Sequence, residues 1–526
     1  MTMPATVSSP ASAAPGASER PAASSPQPVP GHATVARQAA ILWPPALIAA
    51  ALGAWLCVDA APGLNWTLLT FAMALGLLWV VRRSDGRVSG SLRVALGAAC
   101  ALGACAAITA DFDFAPLILL GVAVLLAIAM ALAEGVSADA IGPLAFVIVP
   151  VGGFFRTLRE AVLRVIDLAG LPKSSGEKAQ ARMRGALLAI PVVGVLALML
   201  SGADPVLARL RDNLLSLGQD HLLIPRAMTF AGVCAITAGA YGIALRRGAL
   251  ARETTAPSRF TLGDTERFMV LSSVSALFAL FLGLQVSYFF GDLPALAGSG
   301  FTYAEYARNG FGELTFAATA ATVLIVWLDQ HAKRSDREGR ARVAGLVLIF
   351  LVQLLLDSAY HRVSLYEAAY GYTASRLYAR VYMMIVSVAL VALGIEIWTK
   401  IDVARLSRRV GLLGVAAVIT LCCWNHEAWI VRRNVDRFVA PHYGQLDTDY
   451  LLNSLSPNAV PEIVRQLPRI PGSYRDALRG GLEKKYSKPG SLGSHWYEFT
   501  WRGHAARSAL ASIGITVTAR SQQRGA

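Results

Sequence analysis

The side chains best suited to binding a ligand lie between Ser358 and Tyr382, in the segment SAYHRVSLYEAAYGYTASRLYARVY. Arg362, Tyr366 and Tyr370 follow one another at intervals of four residues, which places them on one face of a helix. A guanidinium group pairs with phosphate or carboxylate, and a tyrosine ring stacks on a sugar or another ring. The segment is therefore the best candidate for a binding surface, although the sequence does not identify what it binds.

A glycine divides this segment into two predicted helices. Gly371 readily ends the first helix, and Thr373 or Ser375 can cap the second. Arg376 and Arg380 repeat the four-residue spacing on the second helix. We expect the two helices to meet at Gly371 on the outer side of a membrane.

A neighbouring loop before the apolar segment 311–328 carries similar residues, and we predict that it meets the 358–382 segment. The candidate binding residues of the two segments are Tyr303, Glu305, Tyr306, Arg308, Glu313, Asp357, His361, Arg362, Tyr366, Glu367, Tyr370 and Arg376. Charged groups at the mouth of a helix bundle can mark a binding cleft or an ion route. The alternative is that the charges satisfy one another at headgroup level and that the tyrosines form an aromatic belt.

Catalysis and metal binding find little support in the sequence. No Gly-x-Ser-x-Gly, Gly-Lys-Ser/Thr or dinucleotide motif occurs. His426 and Glu427 lack a second histidine four residues on, where Ile430 stands. The six cysteines fall in or beside apolar segments without metal-ligand spacing. We therefore predict no cofactor, no metal and no disulfide.

The composition is that of a multi-pass membrane protein. Of the 526 residues, 55% are hydrophobic and only 16% are charged. The net charge of +14 comes from short Lys and Arg clusters between apolar runs, where such clusters orient membrane helices. This pattern argues against nucleic acid as a partner and for the lipid bilayer.

Composition shifts divide the chain into four parts. Residues 1–36 are rich in Ala, Pro and Ser, which predicts a disordered cytoplasmic tail. Residues 37–424 form the transmembrane domain, 425–515 a small, mostly helical extracytoplasmic domain that could bind an envelope protein, and 516–526 a frayed tail. In the third part Ser456 and Pro457 predict a helix start, and Trp496 and Trp501 predict either a small core or a membrane-interface anchor.

Eleven apolar segments are near the ~20 residues that cross a bilayer. They cover about 38–58, 64–81, 92–110, 114–133, 184–201, 222–245, 268–288, 311–328, 343–359, 377–398 and 409–424. The fold class is therefore all-α integral membrane, with about eleven transmembrane helices.

Loop charge predicts the orientation of these helices. The basic loops at 82–93, 156–184, 246–252, 333–342 and 400–409 should be cytoplasmic. This alternation holds if the Pro- and Gly-rich segment 140–155 is a re-entrant or interfacial helix, which puts the N-terminus inside and the C-terminus outside. The alternative is a twelfth, short span and a cytoplasmic C-terminus.

Several motifs resemble a known bacterial family. They are residues 303–314, residues 362–373 with Arg376-Leu-Tyr378, Asn434-Val-Asp-Arg437, and Asp449-Tyr-Leu451. Together they resemble domain of unknown function four-one-seven-three, a family close to four-one-five-three, over roughly residues 90–510. The resemblance implies a multi-spanning protein of the bacterial inner membrane and implies no activity.

Three functions are compatible with the sequence. The first is transport or permeation through an outward-facing polar cleft. The second is envelope sensing or assembly through residues 425–515. The third is a transferase acting on a lipid-linked substrate, with Glu305 or Glu367 as base and Arg362 or Arg376 holding phosphate.

Overall fold

The computed structural model describes residues 32–84, 88–111, 114–138, 153, 156–161, 222–245, 262–290, 311–331, 339–399, 403–440 and 445–518. Within these residues every extended regular element is a helix. The membrane-region helices are α1 (His32–Leu56), α2 (Leu64–Arg83), α3 (Gly90–Ala104), α4 (Ala115–Glu134), α5 (Leu223–Leu245), α6 (Asp264–Phe290), α7 (Phe311–Gln330), α8 (Arg340–Tyr370), α9 (Ala374–Thr399) and α10 (Val403–Cys423). The C-terminal helices are α11 (His426–Val439), α12 (Val460–Gln466), α13 (Gly472–Tyr486) and α14 (Trp501–Ser512).

The fold confirms an all-helical, multi-pass membrane protein. Nine of the described helices are long and apolar enough to cross a bilayer, and α7 carries a shorter apolar stretch, Leu314–Asp329. The predicted span at 184–201 lies outside the described residues, as does almost all of the predicted re-entrant segment. The total number of spans and their orientation stay predictions.

Two apolar clusters hold the membrane helices together. One joins α2 to α5 and the part of α1 that begins at Ile41, and the other joins α6 to α10. A third cluster packs Leu102 and Phe114 against Leu421 and Cys422, so it connects the two groups. Large apolar side chains such as Trp55 and Phe316 point outward, at 67% and 76% exposure, as expected for surfaces that contact lipid.

The C-terminal helices pack around a cluster of their own. It includes Val431, Ile463, Leu478 and Leu510. Ser456 accepts a hydrogen bond from the Asn458 N–H as the cap of a short 3-10 helix that begins at Pro457, which confirms the predicted helix start.

Trp496 and Trp501 lie outside this cluster. Trp496 and Trp501 are 67% and 70% exposed, so they do not form the small core that was one of the two predictions. The Leu64 N–H at the start of α2 donates to the Phe499 carbonyl at 3.0 Å. These tryptophans therefore lie next to the end of a membrane helix, where aromatic anchors are common.

Candidate functional site

The break between α8 and α9 is set by Gly371. Its φ of +84° is a conformation that side chains disfavour, so α8 ends there as predicted. A Cβ atom at this position would lie 2.7 Å from Asn434 Oδ1 and 3.0 Å from Arg437 Nη1. Glycine is thus required twice, for the turn and for the close approach of α11.

Side chains of α11 and of the segment after it hold the α8–α9 connection by hydrogen bonds to its backbone. The Tyr372 N–H donates to Asn434 Oδ1, and Asn434 Nδ2 donates to the Tyr372 carbonyl, both at 2.8 Å. The Ala374 N–H donates to the Tyr450 hydroxyl at 2.8 Å. These side chains satisfy backbone groups that a helix break leaves open.

A cavity of about 410 Å³ lies between the α8–α9 connection and the C-terminal helices. Its walls carry two guanidinium groups, several aromatic rings, amides and one carboxylate. The lining residues are Tyr370, Tyr372, Thr373, Arg376, Asn434, Arg437, Phe438, Gln445, Leu446, Asp447, Tyr450 and Leu451. We refer to this space as the junction cavity.

Rings and guanidinium groups are stacked at the edge of the junction cavity. The Tyr366 and Tyr370 rings are 4.8 Å apart, and the Arg376 guanidinium lies 4.2 Å from the Tyr366 ring centre. Arg376 also donates to the Gly371 carbonyl. Stacking and this hydrogen bond fix the direction of Arg376, so its positive charge is held in place before a ligand arrives.

A buried ion pair lies one turn behind the cavity. Glu367 is 2% exposed, and its Oε2 is 2.6 Å from Arg380 Nη2. Arg380 also donates to Ser364 Oγ at 2.8 Å and stacks on the Tyr360 ring. Arg362, at 6% exposure, is buried in the same stretch of α8. Charges buried in a membrane helix demand such partners.

The predicted site residues are distributed unevenly. Tyr370 and Arg376 line the junction cavity, and Tyr366 contacts Arg376. Asp357 and His361 are on the exposed face of α8. Four candidates lie outside the described residues: Tyr303, Glu305, Tyr306 and Arg308. The side chain of Glu313 is also outside them. The predicted meeting of the two motif segments thus stays a prediction, although α7 contacts α9 through Thr319 and Tyr382, whose hydroxyls are 2.7 Å apart.

Three residues of the junction cavity were absent from the predicted site: Asn434, Arg437 and Tyr450. All three belong to the C-terminal motifs that carry the family resemblance, so the signal was present in the sequence. Nothing in their spacing indicates that they contact residues some sixty to eighty positions earlier.

A second polar group lies where α10 ends and α11 begins. Asp111, His426 and Glu427 are each at most 7% exposed, and their ligand-type atoms lie within 4.8 Å of one another. The Tyr378 hydroxyl is 2.8 Å from His426 Nε2, and the Leu421 carbonyl is 3.2 Å from Nδ1.

Glu427 is held from the other side by Ser456, whose N–H and hydroxyl donate to it at 3.1 and 2.5 Å. Burial, followed by the nearby Asp111 carboxylate, raises the pKa of Glu427 to about 7. Burial also lowers the pKa of His426. Near neutral pH this group therefore carries less charge than its residue types suggest.

The fold and these two polar groups define the class: a multi-pass α-helical membrane protein whose C-terminal helices close over one end of the membrane helices. The sequence profile described as Domain of unknown function (DUF4153) matches residues 96–466, more than half of the chain, so the chain belongs to that family. The motifs resembled domain of unknown function four-one-seven-three, to which this family is close, so the resemblance is confirmed. No curated protein and no solved structure matches the chain.

Proposed function

We propose that this protein is a membrane-embedded receptor that binds a phosphate- or carboxylate-bearing ligand in the junction cavity. The observation that carries the proposal is the pair of arginines, Arg376 and Arg437, facing one space of about 410 Å³ with tyrosines around it. Among the described lining residues, two guanidinium groups lie against the single carboxylate of Asp447, and this excess of positive charge favours an anion.

The position of the cavity supports a ligand from the membrane surface. The candidate span in α8 ends at Ala368 and that in α9 begins at Ala374, which supports a position for the connection at the boundary of the bilayer. Lipid headgroups and soluble anions both reach this depth. Loop charge supports the outer face of a bacterial inner membrane as the side on which this end lies.

The proposed signal is a change in the contact between the C-terminal helices and the membrane helices. One wall of the cavity comes from α8 and α9, and the other comes from α11 and residues 445–451. A ligand that bridges both walls stabilises their closed arrangement by its differential affinity for it. An envelope protein bound to residues 425–515 would detect that change.

The direct test measures binding of anions to delipidated protein in a neutral detergent. Native mass spectrometry would follow titrations with phosphatidylglycerol, with inorganic phosphate and with phosphatidylcholine as a neutral lipid. We expect Arg437→Gln to weaken anion binding about tenfold, because a charge-assisted hydrogen bond is worth ~1.5–3 kcal/mol.

Arg433→Gln is the matched control, because Arg433 lies on the same helix, stacks on Trp429 and does not line the cavity. We expect this variant to bind like the wild type. Preference for phosphatidylglycerol over phosphate would identify a lipid headgroup as the ligand, and the reverse a soluble anion. Equal binding by the wild type and Arg437→Gln, or equal losses in both arginine variants, would reject the junction cavity as the site.

Transport is a second candidate, favoured by the buried charges Arg362 and Glu367 and the half-buried Arg380 behind the cavity. Uptake assays in proteoliposomes would compare the wild type with Glu313→Gln and Arg362→Gln. Uptake of one solute class that both substitutions reduce would support transport, and no uptake of any class would reject it. For the transferase, the ion pair of Glu367 with Arg380 argues against Glu367 as the base, and Glu305, the other candidate base, lies outside the described residues.

A further inference from the structure

We propose that Asp111, His426 and Glu427 form a binding site for a divalent transition-metal ion, with Zn²⁺ as the best match. Two carboxylates and one imidazole are a common protein ligand set for such ions. Their ligand-type atoms all lie within 4.8 Å of one another, so small side-chain movements would bring them to the ~2.0–2.2 Å bonds that surround one Zn²⁺ ion. This inference is independent of the junction cavity and of the proposed anionic ligand.

The histidine is oriented as a metal ligand requires. The Leu421 carbonyl can only accept a hydrogen bond, so Nδ1 is the protonated nitrogen and Nε2 carries the lone pair. A second ring nitrogen held by a backbone carbonyl is the usual outer-sphere arrangement of metal-bound histidines. Nε2 would exchange the Tyr378 hydroxyl, now 2.8 Å away, for the ion.

Both carboxylates are also held from outside. Ser456 donates to Glu427 through its N–H and its hydroxyl. The Phe114 N–H donates to Asp111 Oδ1 at 3.3 Å. Carboxylate oxygens accept more than one partner, so these contacts orient the two side chains and leave lone pairs for an ion.

The site joins parts of the chain that are far apart in sequence. Asp111 follows α3 in the membrane region, whereas His426 and Glu427 open α11. Asp111 also borders a small cavity of about 10 Å³ beside Trp66 and Thr109, a space of water size. A bound ion would thus fasten the C-terminal helices to the membrane helices.

Metal content and affinity test this site directly. Full-length protein, freed of any affinity tag and treated with a chelator, would be titrated with Zn²⁺ and with Mn²⁺ and analysed by elemental mass spectrometry. We expect one tightly bound Zn²⁺ per chain and a rise in the thermal unfolding midpoint on its addition. Tighter binding of Mn²⁺ than of Zn²⁺ would overturn the assignment of Zn²⁺ and would show that the two carboxylates determine which ion binds.

Asp111→Asn and His426→Gln should each reduce Zn²⁺ affinity by more than the roughly 10–100-fold typical of outer-sphere substitutions. His504→Gln is the control, since His504 is an exposed histidine of the C-terminal helices and should leave affinity unchanged. Co²⁺ absorption in the visible range gives a readout independent of stability.

Circular dichroism of each variant separates loss of the site from loss of the fold, and Glu427→Gln supplies a third, near-isosteric substitution. Folded Asp111→Asn protein that binds Zn²⁺ as tightly as the wild type would overturn the proposal. An equal loss of zinc from the His504→Gln control and from the site variants would also overturn it, because that result would identify adventitious surface binding.

Discussion

Glu367 and Glu427 are buried to almost the same extent, at 2% and 3% exposure, and both lie near the joint between membrane and C-terminal helices. Their surroundings differ. Glu367 pairs with the Arg380 guanidinium at 2.6 Å, whereas Glu427 accepts hydrogen bonds from the neutral donor Ser456 and lies beside a second acid, Asp111.

The difference separates a structural acid from one that is able to accept a cation. An arginine that is covalently part of the chain compensates the charge of Glu367, so the pair fastens α8 to α9 and has no need of a ligand. Serine compensates Glu427 only while the acid is neutral or partly charged. Substitution of the two acids should therefore change the free energy of unfolding by clearly different amounts.

The largest effect should follow from breaking the Glu367–Arg380 pair. We expect Arg380→Met to lower the free energy of unfolding by about 3–5 kcal/mol, because it leaves a carboxylate buried without its partner. Denaturant titration in detergent, followed by circular dichroism, measures the change.

Two further variants check this explanation. Glu367→Gln combined with Arg380→Met should recover part of the loss, because the uncompensated charge is gone. Arg469→Ala breaks an exposed pair with Asp436, at 46% and 44% exposure, and should cost no more than ~1 kcal/mol. A loss from Arg380→Met as small as that from Arg469→Ala would show that Glu367 is compensated in another way.

A smaller effect is expected at Glu427. In metal-free protein at pH 6, below its pKa of about 7, the acid is largely protonated and Gln imitates it. The Gln side chain can accept from the Ser456 N–H and donate to the Ser456 hydroxyl. We expect Glu427→Gln to change the free energy of unfolding by about 1 kcal/mol or less.

Glu367→Gln is the matched comparison, measured by the same denaturant titration. It leaves the Arg380 guanidinium without a buried counter-charge and should cost several times more than Glu427→Gln. Equal losses of unfolding free energy in Glu367→Gln and Glu427→Gln would show that the two acids do not differ in this way.

The sequence predicted those features that depend on local pattern. Apolar stretches of about twenty residues became α2, α4 and α5, and Gly371 ended α8 because a positive φ is a property of one residue. The arginine and tyrosine spacing on α8 correctly brought Tyr366 and Tyr370 together.

Features that depend on distant contacts were not predictable in the same way. The metalloprotease motif requires a second histidine four residues after His426, where Ile430 stands. The side chain that joins His426 and Glu427 is instead Asp111, more than three hundred positions earlier. Asn434 offers no local sign that its amide binds the Tyr372 backbone. Such pairs are decided by which helices pack together, and apolar periodicity leaves that choice open.

The smallest expected change in stability concerns a third acid, Glu462 on α12. This acid extends the comparison between Glu367, which pairs with an arginine, and Glu427, which is held by a serine. Glu462 is 2% exposed and accepts hydrogen bonds from Arg432, Arg465 and Gln466 at 3.2, 2.7 and 2.7 Å. Burial raises the pKa of this carboxyl, but the hydrogen bonds from Arg432 and Gln466 and the charge of Arg465 outweigh burial, so its pKa is lowered from 4.5.

A lowered pKa means that the unfolded chain binds a proton first, so Glu462 stabilises the fold above about pH 4.5 and loses this contribution as pH falls through its folded pKa. Because Arg432 and Arg465 are 52% and 66% exposed, water screens the pairs, and the contribution should be roughly 1 kcal/mol or less. Thermal unfolding midpoints of the wild type and Glu462→Gln should therefore differ at pH 7 and approach each other as the pH falls below 4.5, while Glu483→Gln, at an exposed acid of α13, should follow the wild type throughout. A gap that widens on acidification would mean that burial dominates at Glu462, and this acid would then resemble Glu427 despite its arginine partners.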